Sequence, residues 1–216
     1  MKKLTRLTAA SMTLALGALA ASPTYAGIEG NIGVASNYIW RGVTQTQDQA
    51  AISGGVDFTS DSGFYAGTWA SNVDFGADAT DAGYELDLYG GYGGEINGFG
   101  YDVGYILYAY PSLNDANFSE VYLNTSIAGF SIGVSYQVDA DFTDENYLYL
   151  SAGYDFDLGD GWGMSLYGGS YDTGADNSDY THYGVSFSKG DFGFAIDDND
   201  QDNSDPRVTV SWSKTF

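Results

Sequence analysis

From residue 27 onward, apolar and polar positions alternate with a period of two. They do so in segments of roughly 9–11 residues broken by Gly, Asp and Asn clusters, which predicts strands and no helix. The first segment, Ile28 to Val43, sends Ile28, Ile32, Val34, Tyr38 and Trp40 to one face and Glu29, Asn31, Asn37 and Arg41 to the other. Later segments repeat the scheme. Ile52, Val56 and Phe58 form one apolar face, followed by Tyr65, Trp69 and Val73, then Tyr84, Leu86, Leu88 and Tyr92. The last segment is the cleanest. Val208, Val210, Trp212, Lys214 and Phe216 share a face, and Arg207, Thr209, Ser211, Ser213 and Thr215 share the opposite one, up to the final residue.

About twelve such segments fit between residues 27 and 216, each of a length that crosses a bilayer when tilted. The connections alternate as well. Long acidic ones fall at 44–50, 74–83, 110–117, 139–145, 172–179 and 197–206, and between them stand short turns such as Ala128-Gly129 and Lys189-Gly190. Outer-membrane barrels sort their loops this way, with short turns in the periplasm and long loops outside. The expectation is an all-β chain forming a transmembrane antiparallel β-barrel of about twelve strands, one domain over 27–216. A periplasmic β-sandwich is the alternative. Closure has a physical reason, because an open sheet in lipid leaves two unpaired edges. Trp212 and Phe216 are the expected barrel-closing C-terminal signal, read by the barrel-assembly machinery.

The N-terminus changes the picture of where this chain works. Lys2, Lys3 and Arg6 precede a short apolar run from Leu7 to Ala21, and small residues stand at Thr24 and Ala26. Residues 1–26 read as a cleaved signal peptide rather than an anchor, since a spanning helix needs about 20 apolar residues. Export to the outer membrane of a Gram-negative cell follows, with lipid and lipopolysaccharide as surroundings.

Cleavage leaves four cationic residues, Arg41, Lys189, Arg207 and Lys214, against 29 Asp and Glu. Nucleic acid is excluded as a partner by that balance, while small hydrophilic solutes and cations fit it. The absence of cysteine removes disulfides and thiolate metal sites. The 30 Gly and 19 Tyr suit turns, crowded walls and strands. A mean hydropathy of −0.20 fits a barrel in which only alternate residues meet lipid.

The predicted inward face carries Glu29, Asn31, Arg41, Asp57, Asn72, Glu85, Asp87, Asp102, Glu120, Asn124, Asp155 and Arg207. Its charged members are the expected pore lining, and their sign favours a water-filled lumen that attracts cations. In the competing reading the interior is filled, with Arg41 and Arg207 paired to carboxylates and Tyr89, Tyr108, Tyr122, Tyr149 and Tyr167 packed between. Roughly twelve strands lie between small filled barrels and open porins, so strand number leaves both readings standing. Arg41 is either a constriction residue or a partner for lumen carboxylates. The acidic run from Asp197 to Asp205 lacks the EF-hand pattern and reads as solvated loop charge, not a metal site. The single His182 is placed at the strand rim, with no nucleophile motif near it, so no enzyme and no cofactor is expected. Homo-oligomers are common in this class, and nothing in the chain marks a subunit interface.

The stretch Ser36-Asn37-Tyr38-Ile39-Trp40-Arg41-Gly42-Val43-Thr44-Gln45-Thr46 resembles the opening of the TorF family of proteobacterial porins. Gly54-Gly55-Val56-Asp57-Phe58 and Ser62 to Val73 resemble the same family, so the likeness is specific over 31–75 and general beyond. The family commonly has Pro where this chain has Gln49-Ala50-Ala51. The resemblance implies an outer-membrane β-barrel of porin type, and the expected function is passive diffusion of small hydrophilic solutes with a cation preference set by the lumen carboxylates. A non-channel barrel that displays acidic loops for adhesion or envelope integrity is the alternative function.

Overall fold

The computed structural model describes residues 26–76, 82–174, 178–202 and 204–216. The expected signal peptide falls almost wholly on residues 1–25 and lies outside the described residues.

The alternation becomes a closed antiparallel barrel of 12 strands. They are β1 (Gly27–Ala35), β4 (Ala51–Thr59), β5 (Phe64–Asp74), β6 (Ala82–Ile96), β7 (Phe99–Ala109), β8 (Phe118–Ile127), β9 (Phe130–Ala140), β10 (Leu148–Gly159), β11 (Trp162–Asp172), β12 (Tyr180–Lys189), β13 (Phe192–Asn199) and β14 (Arg207–Thr215). Two more short strands, β2 (Ile39–Trp40) and β3 (Val43–Thr44), form a separate hairpin. The seam joins β1 to β14, with Val34 opposite Trp212 and Asn31 opposite Thr215. Gly30 and Phe216 extend it by exchanging two backbone hydrogen bonds of 2.9 Å. Among the described residues the barrel sheet has no bare edge.

One end of the barrel, the turn end, carries Ala26, Phe216 and the short turns. Asn97-Gly98, Ala128-Gly129 and Asp160-Gly161 there have positive φ at both residues, the two-residue hairpin turn whose twist matches the strands. Among the described residues, the opposite, loop end carries 36–50, 75–76, 110–117, 141–147, 173–174, 178–179, 200–202 and 204–206.

The outer surface is apolar and exposed, as lipid contact requires. Ile32, Val56, Leu88, Val103, Leu123, Ile132, Leu150, Leu166 and Val210 form its middle. Phe64, Tyr92, Phe99, Phe130, Trp162, Phe192 and Phe216 ring the turn end, while Tyr84, Tyr136 and Tyr183 stand near the loop end. These are the two aromatic girdles of a membrane barrel. The buried apolar cluster lies inside instead: Tyr38, Ala51, Val73, Ile106, Tyr108, Tyr110, Phe118 and Tyr122.

Several sequence expectations fail, among them Asn72, expected to face inward and found on the outer face of β5. In β5 the face turned to lipid is Phe64, Ala66, Thr68, Ala70 and Asn72, while Tyr65, Trp69 and Val73 point inward with Gly67 and Ser71. Both faces of β5 carry apolar residues, so hydrophobicity does not fix its parity; the Tyr65 hydroxyl, bonded to Asp102, does. The first segment also ends early. β1 stops at Ala35, and Tyr38 and Trp40 lie in the lumen rather than against lipid.

Candidate functional site in the barrel lumen

Residues 36–50, the connection between β1 and β4, fold back into the barrel. Ile39-Trp40 and Val43-Thr44 pair across the two-residue turn Arg41-Gly42, whose φ values are 48° and 79°. The Thr46 hydroxyl accepts from the Tyr38 amide and donates to Asn37, and Tyr38 O accepts from the Gln45 amide, so the hairpin holds itself together. Asn37 also donates to Asp48, which accepts from Arg207 at the rim of β14. Gln45 O accepts from the amide of Asp74 at the end of β5.

The hairpin meets the wall almost all the way round. Tyr38 lies edge-on to Trp69 of β5 and donates to Glu85 of β6 at 2.7 Å, and Tyr110 donates to the other Glu85 oxygen. Trp40 packs against Tyr108, Phe118 and Tyr171. Asn199 of β13 donates to Gly42 O at 2.7 Å. A side chain at Gly42 would collide with Cβ of His182 on β12, so only glycine lets the tip sit this deep.

Arg41 is the centre of this plug. Its two terminal nitrogens donate to the two Glu120 oxygens at 2.8 and 2.7 Å, and both residues are buried. The guanidinium carbon sits 4.0 Å from the Tyr149 ring centre, 4.2 Å from Trp40 and 5.0 Å from Tyr171. Burial would lower the pKa of a lone guanidinium. Here the Glu120 carboxylate and its hydrogen bonds outweigh that and hold Arg41 above its ordinary value. Phe118 and Glu120 share the inner face of β8, and a bulge in β9, with Val138 as the extra residue, sets both Ala140 and Gln137 opposite them on that face. The layer is dry: Asp87 is 0 %, Glu120 1 % and Glu85 2 % exposed. Both Asp87 oxygens, and the hydroxyl of Tyr108 opposite on β7, lack a hydrogen-bond partner.

Toward the turn end the aromatics behave differently. Tyr89 of β6 lies across Gly67 of β5 and donates to Asp57 of β4. A Cβ at Gly67 would stand 2.5 Å from that ring. Tyr167 of β11 crosses Gly184 of β12 to Asp197 of β13 at 2.6 Å. Tyr65 crosses Gly91 to Asp102 at 2.6 Å, Tyr122 crosses Gly104 to the Tyr65 hydroxyl, and Tyr149 crosses Gly169 to His182 at 2.8 Å. Each tyrosine spans a strand whose facing position is glycine and bonds beyond it. The rings lie against the wall, and Asp57, Asp102 and Asp155 on that wall stay partly or fully exposed.

The expected pore residues therefore separate into two groups. Asp57, Asp102 and Asp155 stand on the inner wall toward the turn end, and Glu29 stands opposite Asp57 near the turn-end opening. Asp155 accepts from Ser165. Glu85, Asp87 and Glu120 belong to the dry layer, Arg207 to the loop-end rim, and Arg41 to the hairpin rather than to a strand. His182, expected as a solvated rim residue, is buried under the hairpin tip with Nε2 against Tyr149 and Nδ1 unpartnered. Asp197 to Asn199 are strand rather than loop. Among the described residues no three His, Asp or Glu are grouped to hold a metal ion.

A closed antiparallel barrel of 12 strands with an apolar, aromatic-girdled outer face and a charged, loop-occupied lumen is the architecture of a transmembrane β-barrel. The chain belongs to the Gcw_chp family, bacterial proteins of unknown function, whose family model matches residues 18–209. Its fold is similar to the KdgM porin, with a TM-score of 0.56 at 10% identity over 88% of this chain and 98% of that one. The same figures hold for a KdgM porin in complex with disordered oligogalacturonate. A third structure, from work on in-meso crystallization of membrane proteins, also gives 0.56, at 9% identity over 88% of this chain and 83% of that one. No curated protein matches the chain.

Proposed function

We propose that this protein is a gated outer-membrane porin, in which residues 36–50 shut the lumen and their displacement admits small hydrophilic solutes with a preference for cations. The observation that carries it is the contrast inside one barrel, a packed hairpin above and tyrosines folded flat below. The resemblance of Ser36 to Thr46 to TorF porins supports the same reading. So does the sign of the wall. Among the described inward positions toward the turn end stand Glu29, Asp57, Asp102 and Asp155 and no Lys or Arg, which favours cations entering the lumen. An anionic oligosaccharide of the kind seen with the KdgM porin suits that wall poorly. On this reading the chain sits in a Gram-negative outer membrane after signal cleavage, its long loops facing out toward lipopolysaccharide, and β14 ending in Phe216 is what the assembly machinery engages.

The test is electrical. Wild-type protein in planar bilayers is expected to stay mostly closed. Replacing residues 38–45 by a Gly-Ser linker should give discrete steps whose reversal potential under a salt gradient reports cation selectivity. A second reading, a non-conducting structural barrel, is favoured by the unbroken buried layer around Arg41. A linker variant that folds, shown by heat-modifiable migration, yet never conducts would establish that alternative in place of the gate.

A further inference from the structure

The guanidinium of Arg41 is held by two unlike sets of groups. Trp40 travels with it on the hairpin. Glu120, Tyr149 and Tyr171 belong to β8, β10 and β11, whose places are fixed by the barrel ladder and not by the loop. Tyr149 is further pinned flat by Gly169 beneath it and His182 beyond it. With the hairpin withdrawn, the wall keeps a carboxylate and two aromatic faces set around a planar cation.

We infer that Glu120, Tyr149 and Tyr171 form a binding site for guanidinium-bearing solutes in the lumen, and that Arg41 is the chain's own occupant of it. The inference rests on the gated reading above and names its solute class and its trigger. Both Glu120 oxygens are used at once by the Arg41 fork, a match that a guanidinium reproduces and a compact ammonium does not. The two tyrosine rings add faces that suit a flat, weakly hydrated cation. The carboxylates toward the turn end raise the local concentration of such a solute on its way in. A solute bound at Glu120 excludes Arg41 from the same oxygens, so its binding shifts the hairpin toward the withdrawn state by its preference for that state.

Methylguanidinium is the probe, with methylammonium as the charge-matched control, titrated calorimetrically into folded barrel in detergent. R41A should bind methylguanidinium at least about tenfold more tightly than methylammonium and than wild type does, since the internal competitor is gone. R41A/E120Q should lose that preference. In bilayers, methylguanidinium should block R41A currents at concentrations where methylammonium does not. If R41A fails to fold, R41K carries the same test, because it keeps a charge at the tip without the fork and should still gain methylguanidinium affinity over wild type. A folded R41A or R41K that treats the two cations alike, or whose preference survives E120Q, overturns the site. A conducting R41A with no preference leaves the gate and removes the site; a silent R41A that binds the probe leaves the site and removes the gate.

Discussion

The two halves of the lumen are built from the same strands and the same alternation, yet one is packed and the other is not. Toward the turn end, Tyr65, Tyr89 and Tyr167 each find a glycine on the neighbouring strand and an acceptor beyond it, and lie along the wall. Toward the loop end, the wall of β6 to β8 presents Glu85, Asp87, Ile106, Tyr108 and Phe118, with Asp87 and Phe118 rather than glycine opposite Tyr108, and Tyr38 and Trp40 arrive from the hairpin to pack among them. Tyr149 carries the flat arrangement up to the hairpin, where it becomes a surface on which Arg41 rests. Openness in a barrel of this size is therefore decided by which residue stands beside each inward aromatic, not by strand number. An inward glycine is a place for a neighbour's ring.

Removing Arg41 should break the contrast most. R41A strands Glu120 in a dry site, and a cost of about 3–5 kcal/mol is expected in urea titrations of the folded barrel, with increased conductance. Replacing both partners together, Arg41→Met with Glu120→Leu, should recover most of that stability without restoring charge at the tip. The unpartnered carboxylate of Asp87 predicts an effect of the opposite sign: D87N should stabilise by about 1–3 kcal/mol in the same titration, and no gain would mean the carboxylate has a partner after all. Filling a ring's resting place should make the open half resemble the packed one. G184A puts a methyl 2.5 Å from the Tyr167 ring, at about 1–3 kcal/mol, and should lower the conductance of the linker variant as that ring swings toward the axis. Y89F should be the mildest change, losing only the bond to Asp57 for about 0.5–1.5 kcal/mol and leaving conductance unaltered.

Much of this architecture is legible in the chain. Period-two alternation, the sorting of long and short connections and the strand running to Phe216 suffice for the barrel, because lipid on one side imposes a strict rule on alternate residues. The lumen imposes no such rule, and there the reading falters. Tyr65 and Trp69 are hydrophobic enough for either face, and their placement depends on Asp102 and on the hairpin, partners distant in sequence. Tyr38 and Trp40 continue the alternation of β1, which hides the turn that takes them inside. A local signal was present in Ile39-Trp40-Arg41-Gly42-Val43-Thr44, two strand-forming pairs around a two-residue turn ending in glycine. It says hairpin but not destination. Nothing local marks the depth of the tip, which depends on Gly42 facing His182 of β12, much further along the chain.

The hairpin leaves β1, the strand nearest the N-terminus, and touches strands laid down at the very end of the chain. Asn199 reaches Gly42 across 157 residues and Arg207 reaches Asp48 across 159. Bringing chain ends so far apart into register carries a loop-closure penalty that grows with the logarithm of the separation. A hairpin docked on β8 and β10 to β13 ties the start of the barrel to its last strands by contacts on both sides of the β1–β14 seam. The contacts that shut the lumen also brace that seam, so loosening the hairpin is expected to weaken the pairing of β1 with β14.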